Sequence, residues 1–171
     1  KQHEGHIDVV TEVGRGTTFN LYLPALPVQP PPAPARESEA PIQGQGETVL
    51  VVEDNAGLRD ALASILELLN YRTLQAASGR EALAVLERRA DEIALVLSDL
   101  VMPEMGGQAL FHAMRQRGLT LPVVILSGHP LEDELEDLQA QGLAGWMLKP
   151  PSVTELGQLL ARVLHKESEP G

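Results

Sequence analysis

Four short apolar runs, each closed by a polar residue, set the frame of this chain. TVLVV (48–52) leads into Glu53 and Asp54, IALVLS (93–98) into Asp99, PVVIL (122–126) into Ser127 and AGWML (144–148) into Lys149. Runs of this length, rich in Val, Ile and Leu and spaced by helical periods, predict strands buried on both faces of a parallel sheet. The first strand is predicted over 48–53, and YRTLQAA (71–77) supplies another between the first two runs. Leu58, Leu62, Ile65, Leu66 and Leu69 form one stripe of a helix over 56–70, opened by Asp54 or Asn55 as N-cap. Ser78 with Glu81, and Ser152 with Glu155, have the capping-box spacing that starts two further helices, the last running to about Lys166. Helices over 107–117 and over 130–141, the latter with Pro130 in its first turn, complete the alternation.

Strand and helix therefore alternate five times over residues 47–167. Right-handed crossovers with helices on both faces turn such a (βα)5 chain into a doubly wound three-layer α/β sandwich, with parallel strand order 2-1-3-4-5 as the usual flavodoxin-like solution. Ligands of open parallel sheets bind in the crevice at the carboxyl ends of the strands. Glu53, Asp54, Asp99, Ser127 and Lys149 all arrive at that edge.

Composition narrows the partners. The net charge of −11 argues against nucleic acid and anionic lipid. There is no cysteine, hence no disulfide or thiolate metal site. No apolar run approaches the roughly 18–20 residues of a membrane span, so direct membrane contact is not expected. Lys1 opens the chain without a methionine or a signal-peptide pattern, as in a piece of a longer protein.

Ahead of the alternating region lie two other zones. HIDVVTEV (6–13) and TTFNLYL (17–23) read as two strands of a hairpin turning at Gly14-Arg15-Gly16. A lone hairpin is marginal in water, so this zone, residues 1–24, is expected to be poorly ordered by itself. The stretch 24–46 holds seven of the thirteen prolines and has no apolar period. Residues 25–46 are therefore assigned as a linker of polyproline II character. Residues 168–171 are a polar tail.

Three carboxylates at one sheet edge repel each other. Two unit charges about 5 Å apart cost roughly 3 kcal/mol at an effective dielectric near 20. Protons or a cation must relieve this. Hard oxygen donors suit Mg²⁺, with Mn²⁺ as an alternative, rather than zinc. Lys149 is a compact charge that reaches a phosphate or a carboxylate, and Ser127 offers a hydroxyl to an anionic oxygen. The competing reading is a set of solvated loop acids.

With those residues in place, VLVVEDN (49–55), VLSDLVMPEMGG (96–107), VVILSGH (123–129) and GWMLKPPS (145–152) together resemble the receiver domain of two-component signalling. The resemblance covers about 120 residues, and it implies roles. Asp99 would take a phosphoryl group from a phosphohistidine. Asp54 and Asp99 would hold Mg²⁺ directly, with the Val101 carbonyl, and Glu53 would act through a bound water. Lys149 would pair with Asp99 and then with the phosphoryl group. Ser127 would bond a phosphoryl oxygen and, in moving inward, free space for the aromatic residue three before the lysine. That residue is Trp146, where the family usually has Tyr or Phe. Val101 and His129 would tune the lifetime of the acyl phosphate.

The segment 5–24, with Gly14-x-Gly16-Thr17 between two strands and a closing Leu-Pro, is similar to the last part of the ATP-binding domain of histidine kinases. That implies a hybrid sensor histidine kinase as parent, with this receiver at its C-terminus, in the cytoplasm. The partners implied are the kinase core of the same chain and a histidine phosphotransfer protein. The motifs that bind Mg-ATP are absent, so the fragment would catalyse only its own phosphorylation and dephosphorylation. A flavodoxin-type carrier is disfavoured because Glu53-Asp54-Asn55 stands where a phosphate loop should be. A haloacid-dehalogenase-type phosphatase is disfavoured because Val101 occupies its second aspartate position. A receiver-like docking domain that binds partners without phosphorylation is the remaining alternative.

Overall fold

The apolar runs and YRTLQAA assemble into one parallel sheet. The computed structural model describes residues 6–12, 14–22, 42–129 and 134–165, and for 134–136 the backbone alone. The strands are β1 (His6–Glu12), β2 (Gly16–Tyr22), β3 (Thr48–Val52), β4 (Arg72–Ala76), β5 (Leu95–Asp99), β6 (Val123–Ser127) and β7 (Gly145–Leu148). The helices are α1 (Ala56–Leu68), α2 (Gly79–Arg89), α3 (Gly107–Gln116), α4 (Glu134–Ala140) and α5 (Val153–Leu164). Strands β3 to β7 form a five-stranded sheet in the order β4-β3-β5-β6-β7, every pair parallel. Counted from β3, this is the predicted order 2-1-3-4-5.

Burial explains the strand sequences. The three inner strands β3, β5 and β6 are buried at every position, whereas the edge strands β4 and β7 carry exposed and half-buried residues. Alternation divides the core in two. Val49, Val51, Leu95, Leu97, Val124 and Leu126 face Leu62 and Leu66 of α1 and Leu156 and Leu160 of α5. Leu50, Val52, Val96 and Ile125 face Leu83 and Leu86 of α2 and Leu110, Phe111 and Met114 of α3. Each fully buried Leu, Val, Ile, Phe or Met contributes about 1.5–3 kcal/mol, so a one-residue slip of an inner strand, which swaps its two faces, is strongly disfavoured.

Local chemistry sets the helix ends. Asn55, not Asp54, caps α1: its Oδ1 accepts the Leu58 N–H at 3.0 Å. Ser78 accepts the Glu81 N–H and Ser152 accepts the Glu155 N–H, as their spacing predicted. Helix α1 stops at Leu68, before the predicted residue 70. Asn70 adopts a left-handed φ of 65°, and the Tyr71 N–H returns to the Leu66 carbonyl at 2.9 Å, closing the helix as a Schellman turn. Strand β5 starts at Leu95 rather than 93 because a short 3₁₀ turn, Ala90–Glu92, intervenes. Helix α4 begins at Glu134; the predicted start at Pro130 lies outside the described residues.

The chain divides into two compact units, Lys1–Ser38 and Glu39–Gly171. In the first, β1 and β2 pair antiparallel, with Gly14 at φ 82° and Gly16 at φ 100° around the turn. The pairs Ile7 with Leu21 and Val9 with Phe19 lie on one face, all more than half exposed. In the second unit, residues 42–47 are bonded to the sheet's amino-terminal end. The Gly44 N–H donates to the Leu69 carbonyl at 2.8 Å, and the Gly46 N–H to the Asn70 carbonyl at 3.1 Å. Asn70 Nδ2 and Arg72 Nε return bonds of 2.7 Å to the carbonyls of Gly44 and Gly46. Beneath this strap lies the Tyr71 ring, whose buried hydroxyl finds no partner among the described residues. Burial, helped by the nearby Glu47 charge, pushes the Tyr71 phenol up to about 12. Among the described residues no helix is long and apolar enough to cross a membrane.

Two measurements test this packing. A Cβ on Gly157 of α5 would stand 2.8 Å from the Ile42 carbonyl oxygen and 3.3 Å from Leu69 Cδ2. Gly157→Val should therefore lower unfolding stability by about 1–3 kcal/mol, although a mid-helix glycine is intrinsically unfavourable. Amide exchange at Gly44 and Gly46 should accelerate in that variant; unchanged stability and exchange would refute the close approach. Because the Tyr71 phenol is raised in the fold, its contribution is complete below pH 10 and is lost as pH rises toward about 12. Denaturant unfolding at pH 9 and pH 11.5 should show a smaller loss for Tyr71→Phe than for the natural chain. Residual loss in the variant is expected, since Lys149 is raised as well.

Candidate functional site

Strand register brings the polar residues abreast. Val52 stands opposite Ser98, Asp99 opposite Leu126, and Ser127 opposite Leu148. Each chain therefore leaves the sheet at one level, with Glu53, Asp99, Ser127 and Lys149 at or just past its end. Glu53 is 2% exposed and Asp99 is 9% exposed, a depth at which ionised carboxylates need partners.

Lys149 is that partner for both. Its Nζ donates to Glu53 Oε2 at 2.6 Å and lies 2.9 Å from Asp99 Oδ1. Burial alone would push the ammonium pKa down, but the hydrogen bonds to Glu53 and Asp99, with their charges, outweigh it and raise the pKa above the ordinary lysine value. The Lys149 N–H is anchored to the Ser127 carbonyl at 2.8 Å, which fixes where the side chain starts. The other Glu53 oxygen, Oε1, accepts the Asn55 N–H at 3.2 Å. Both carboxylate oxygens of Glu53 thus already have protein donors.

Asp54 behaves differently. It is exposed at the mouth of the site, and Asn55 has taken the capping task from it. One carboxylate oxygen each from Glu53, Asp54 and Asp99 lies within 4.8 Å of the others. Oxygens around an octahedral Mg²⁺, at about 2.0–2.1 Å from the ion, stand about 3–4 Å apart, so small side-chain movements would close the set. The donor chemistry and spacing fit a hard divalent cation.

The loop after Asp99 is held close. The Gly107 N–H reaches the Leu100 carbonyl at 3.0 Å, and a Cβ on Gly107 would collide with the Asp99 carbonyl. Val101, 68% exposed, and His129 line an open hollow beside the acids, together with Met102, Gly106 and Gln108. Ser127 is fully buried, and its hydroxyl is engaged within its own loop: it donates to the His129 carbonyl at 2.5 Å and accepts the His129 N–H at 3.2 Å. Trp146 is half-buried on edge strand β7, opposite Ile125, against the core cluster that includes Leu138.

The sequence pattern did not single out Arg59. It lies in the first turn of α1, and its Nη1 donates to the Glu53 carbonyl at 2.7 Å. An arginine on the polar side of an amphipathic helix reads as solvated. The usable signal was its position four residues after the capping Asn55, on the turn that faces the strand end.

A doubly wound sandwich that gathers three carboxylates and a lysine at the carboxyl ends of its parallel strands has the architecture of a signalling receiver. Residues 49–161 match the Response regulator receiver domain, and the chain belongs to that family. It is 33% identical over 174 residues to Sensor kinase CckA of Brucella abortus, an alignment covering 98% of this chain and 18% of the relative. Sensor histidine kinase RcsC of Salmonella typhi is 40% identical over 113 residues, covering 66% of this chain and 12% of that protein. Autoinducer 1 sensor kinase/phosphatase LuxN of Vibrio campbellii is 29% identical over 182 residues, covering 96% and 21%. The chain thus spans less than a quarter of the length of these relatives. Among solved structures, chemotaxis protein CheY4 of Vibrio cholerae superposes with a TM-score of 0.64 at 30% identity, covering 70% of this chain and 99% of CheY4. The receiver domain protein of Clostridium thermocellum shares the fold with a TM-score of 0.66 at 21% identity, covering 71% and 96%.

Removing Lys149 tests the electrostatics. Lys149→Met leaves two buried carboxylates without their cation and should cost about 3–5 kcal/mol in urea unfolding at pH 7.5. Adding Glu53→Gln should recover part of that loss, because one of the two charges is then gone. Equal losses in the single and double variants would show that Lys149 does not balance Glu53.

Proposed function

We propose that this chain is the phosphoacceptor receiver of a two-component phosphorelay, with Asp99 as the acceptor. The observation that carries the reading is the Lys149 ammonium shared between Glu53 at 2.6 Å and Asp99 at 2.9 Å, beside the exposed Asp54. A cation already touching the acceptor carboxylate is placed to follow the charge onto an arriving phosphoryl group. Asp54, Asp99 and the Val101 carbonyl would hold Mg²⁺, with Glu53 acting through a water. When bound, the ion supplies positive charge to the phosphoryl oxygens as they pass through the in-line transition state.

The step itself belongs to Asp99. A carboxylate oxygen attacks phosphorus, the bond from phosphorus to the histidine nitrogen breaks, and the electron pair leaves with the imidazole. An acyl phosphate results. Water attacking the same phosphorus later returns the carboxylate and inorganic phosphate. Lys149 neutralises the product while Ser127 turns from the His129 carbonyl to a phosphoryl oxygen. Trp146 repacks against the displaced loop. Val101 and His129, at the open hollow beside the acids, govern how water reaches the phosphorus.

The parent protein is proposed to be a cytoplasmically signalling hybrid sensor histidine kinase. In support, the alignments with CckA and LuxN run through residues ahead of the receiver as well. Residues 1–24 are then the end of the kinase ATP-binding domain and residues 25–46 the linker. The phosphoryl group passes between Asp99 and a histidine on a phosphotransfer protein or on the same kinase.

The test uses Mg²⁺ with beryllofluoride, a phosphoryl mimic that binds a carboxylate. It should change the fluorescence of Trp146, the only tryptophan, and a small phosphoramidate donor should label the protein. Asp99→Asn should abolish both responses. If the natural chain takes up neither the mimic nor the label, the phosphoacceptor reading is wrong and a docking role without phosphorylation stands in its place.

A further inference from the structure

We propose that Arg59 is a positioning residue for the acid pair, holding the Glu53–Asp54 turn in the geometry that accepts the divalent cation. The inference rests on the proposed receiver function and adds a residue to its site.

The argument starts where β3 ends. The Glu53 N–H still makes a bond to the neighbouring strand, reaching the Ala76 carbonyl at 3.1 Å. Strand β4 stops at Ala76, so the Glu53 carbonyl has lost its ladder partner. Arg59 Nη1 takes that place at 2.7 Å. The same guanidinium extends Nε to Gln75 Oε1 at 3.3 Å on the edge strand. The backbone of Arg59 is itself fixed, its N–H bonded to the Asn55 carbonyl at 2.9 Å. One planar group thus ties the end of β3, the first turn of α1 and strand β4 around the two residues that carry adjacent carboxylates.

The choice of acceptor matters. Arg59 donates to peptide and amide oxygens, not to a carboxylate. Its positive charge therefore offsets part of the negative potential around Glu53, Asp54 and Asp99 without occupying an oxygen of any of the three carboxylates. Lys149 works from the opposite side and does occupy carboxylate oxygens. A guanidinium is suited to this because its rigid fork serves two acceptors at once, which an ammonium on a flexible stem does not.

The test measures Mg²⁺ affinity by titration calorimetry on the whole chain, alongside unfolding midpoints of the metal-free protein. Arg59→Met, which keeps the apolar stem, should weaken Mg²⁺ binding about 10- to 100-fold, the usual effect of removing a residue that orients metal ligands. Arg59→Lys should recover part of the affinity through its charge, and Gln75→Leu should cause a smaller loss than Arg59→Met. In the metal-free Met variant the Asn55 amide, bonded to Glu53 Oε1, should exchange faster while the unfolding midpoint stays within a few degrees of the natural chain. Mg²⁺ affinity within twofold of the natural chain would overturn the inference, as would a loss that merely follows the unfolding midpoint. Should the Met variant fail to fold, the Lys and Gln75→Leu variants decide by the same criteria. If the natural chain itself binds no Mg²⁺, the receiver proposal fails and this one falls with it, whereas binding by the natural chain that the variants leave unchanged overturns this one alone.

Discussion

Everything at the working edge depends on one lysine reaching two buried acids. The fold places Glu53 and Asp99 at the ends of adjacent inner strands, where water is largely excluded. Ionised carboxylates there are costly unless each meets a donor. Lys149 arrives from the far edge strand, ninety-six residues along the chain from Glu53, and satisfies both. Its own burial opposes its charge, and only the paired acids outweigh that. Both buried acids therefore have a donor in the absence of a metal, although one ammonium against three carboxylates leaves a formal charge of −2, and Asp54 is still presented to solvent.

That pairing is possible because the sheet is rigid where it must be. Inner strands buried on both faces leave no freedom of register, since any slip would exchange two complete apolar faces. The polar residues are consequently delivered at one level by packing forces that have nothing to do with their chemistry. Glycine does the remaining work in the loop after Asp99, where Gly107 lets the backbone fold over the Asp99 carbonyl. The strap of residues 42–47 lies at the opposite, amino-terminal end of the strands, bonded to Leu69, Asn70 and Arg72. The chain thus enters this unit away from the acids.

The strand order, the helix caps and the gathering of five polar residues were legible in the sequence because each follows from a local rule. Apolar runs marked the inner strands, and Ser78 and Ser152 announced their helices with a glutamate three residues on. Other features were not legible, for identifiable reasons. Whether Asp54 or Asn55 capped α1 depended on which side chain the strand end left free, and the answer released Asp54 for other use. The attachment of residues 42–47 was hidden because Gly and Gln in a proline-rich stretch read as linker; the signal was in their receptors, Tyr71 and Gly157, which have no period of their own. Arg59 was hidden because its partner is a backbone carbonyl, which sequence does not display. The bonds that hold the Glu53 oxygens to Lys149 and the Asn55 N–H were hidden as well, because such a pairing needs three-dimensional proximity to be seen.

The arrangement of Ser127 bears on how a switch would be thrown. Its hydroxyl is doubly satisfied by the backbone of His129. Trading that neutral carbonyl for an anionic phosphoryl oxygen gains about 1–2 kcal/mol, the difference between a neutral hydrogen bond and one to a charged group. Moving a two-state equilibrium from 1:99 to 99:1 takes about 5.5 kcal/mol. Ser127 alone therefore falls well short. On the proposed reading the remainder would come from the bound cation and from Lys149, which here holds Glu53 and Asp99 together and would exchange part of that attachment for the new dianion. The loop bearing Ser127 is linked to the lysine directly, because the Lys149 N–H is bonded to the Ser127 carbonyl. The backbone from which the lysine side chain starts is thus tied to the segment that carries the Ser127 hydroxyl. In the proposed switch the two residues would move together, and the half-buried Trp146, three residues before Lys149, would be the side chain that repacks.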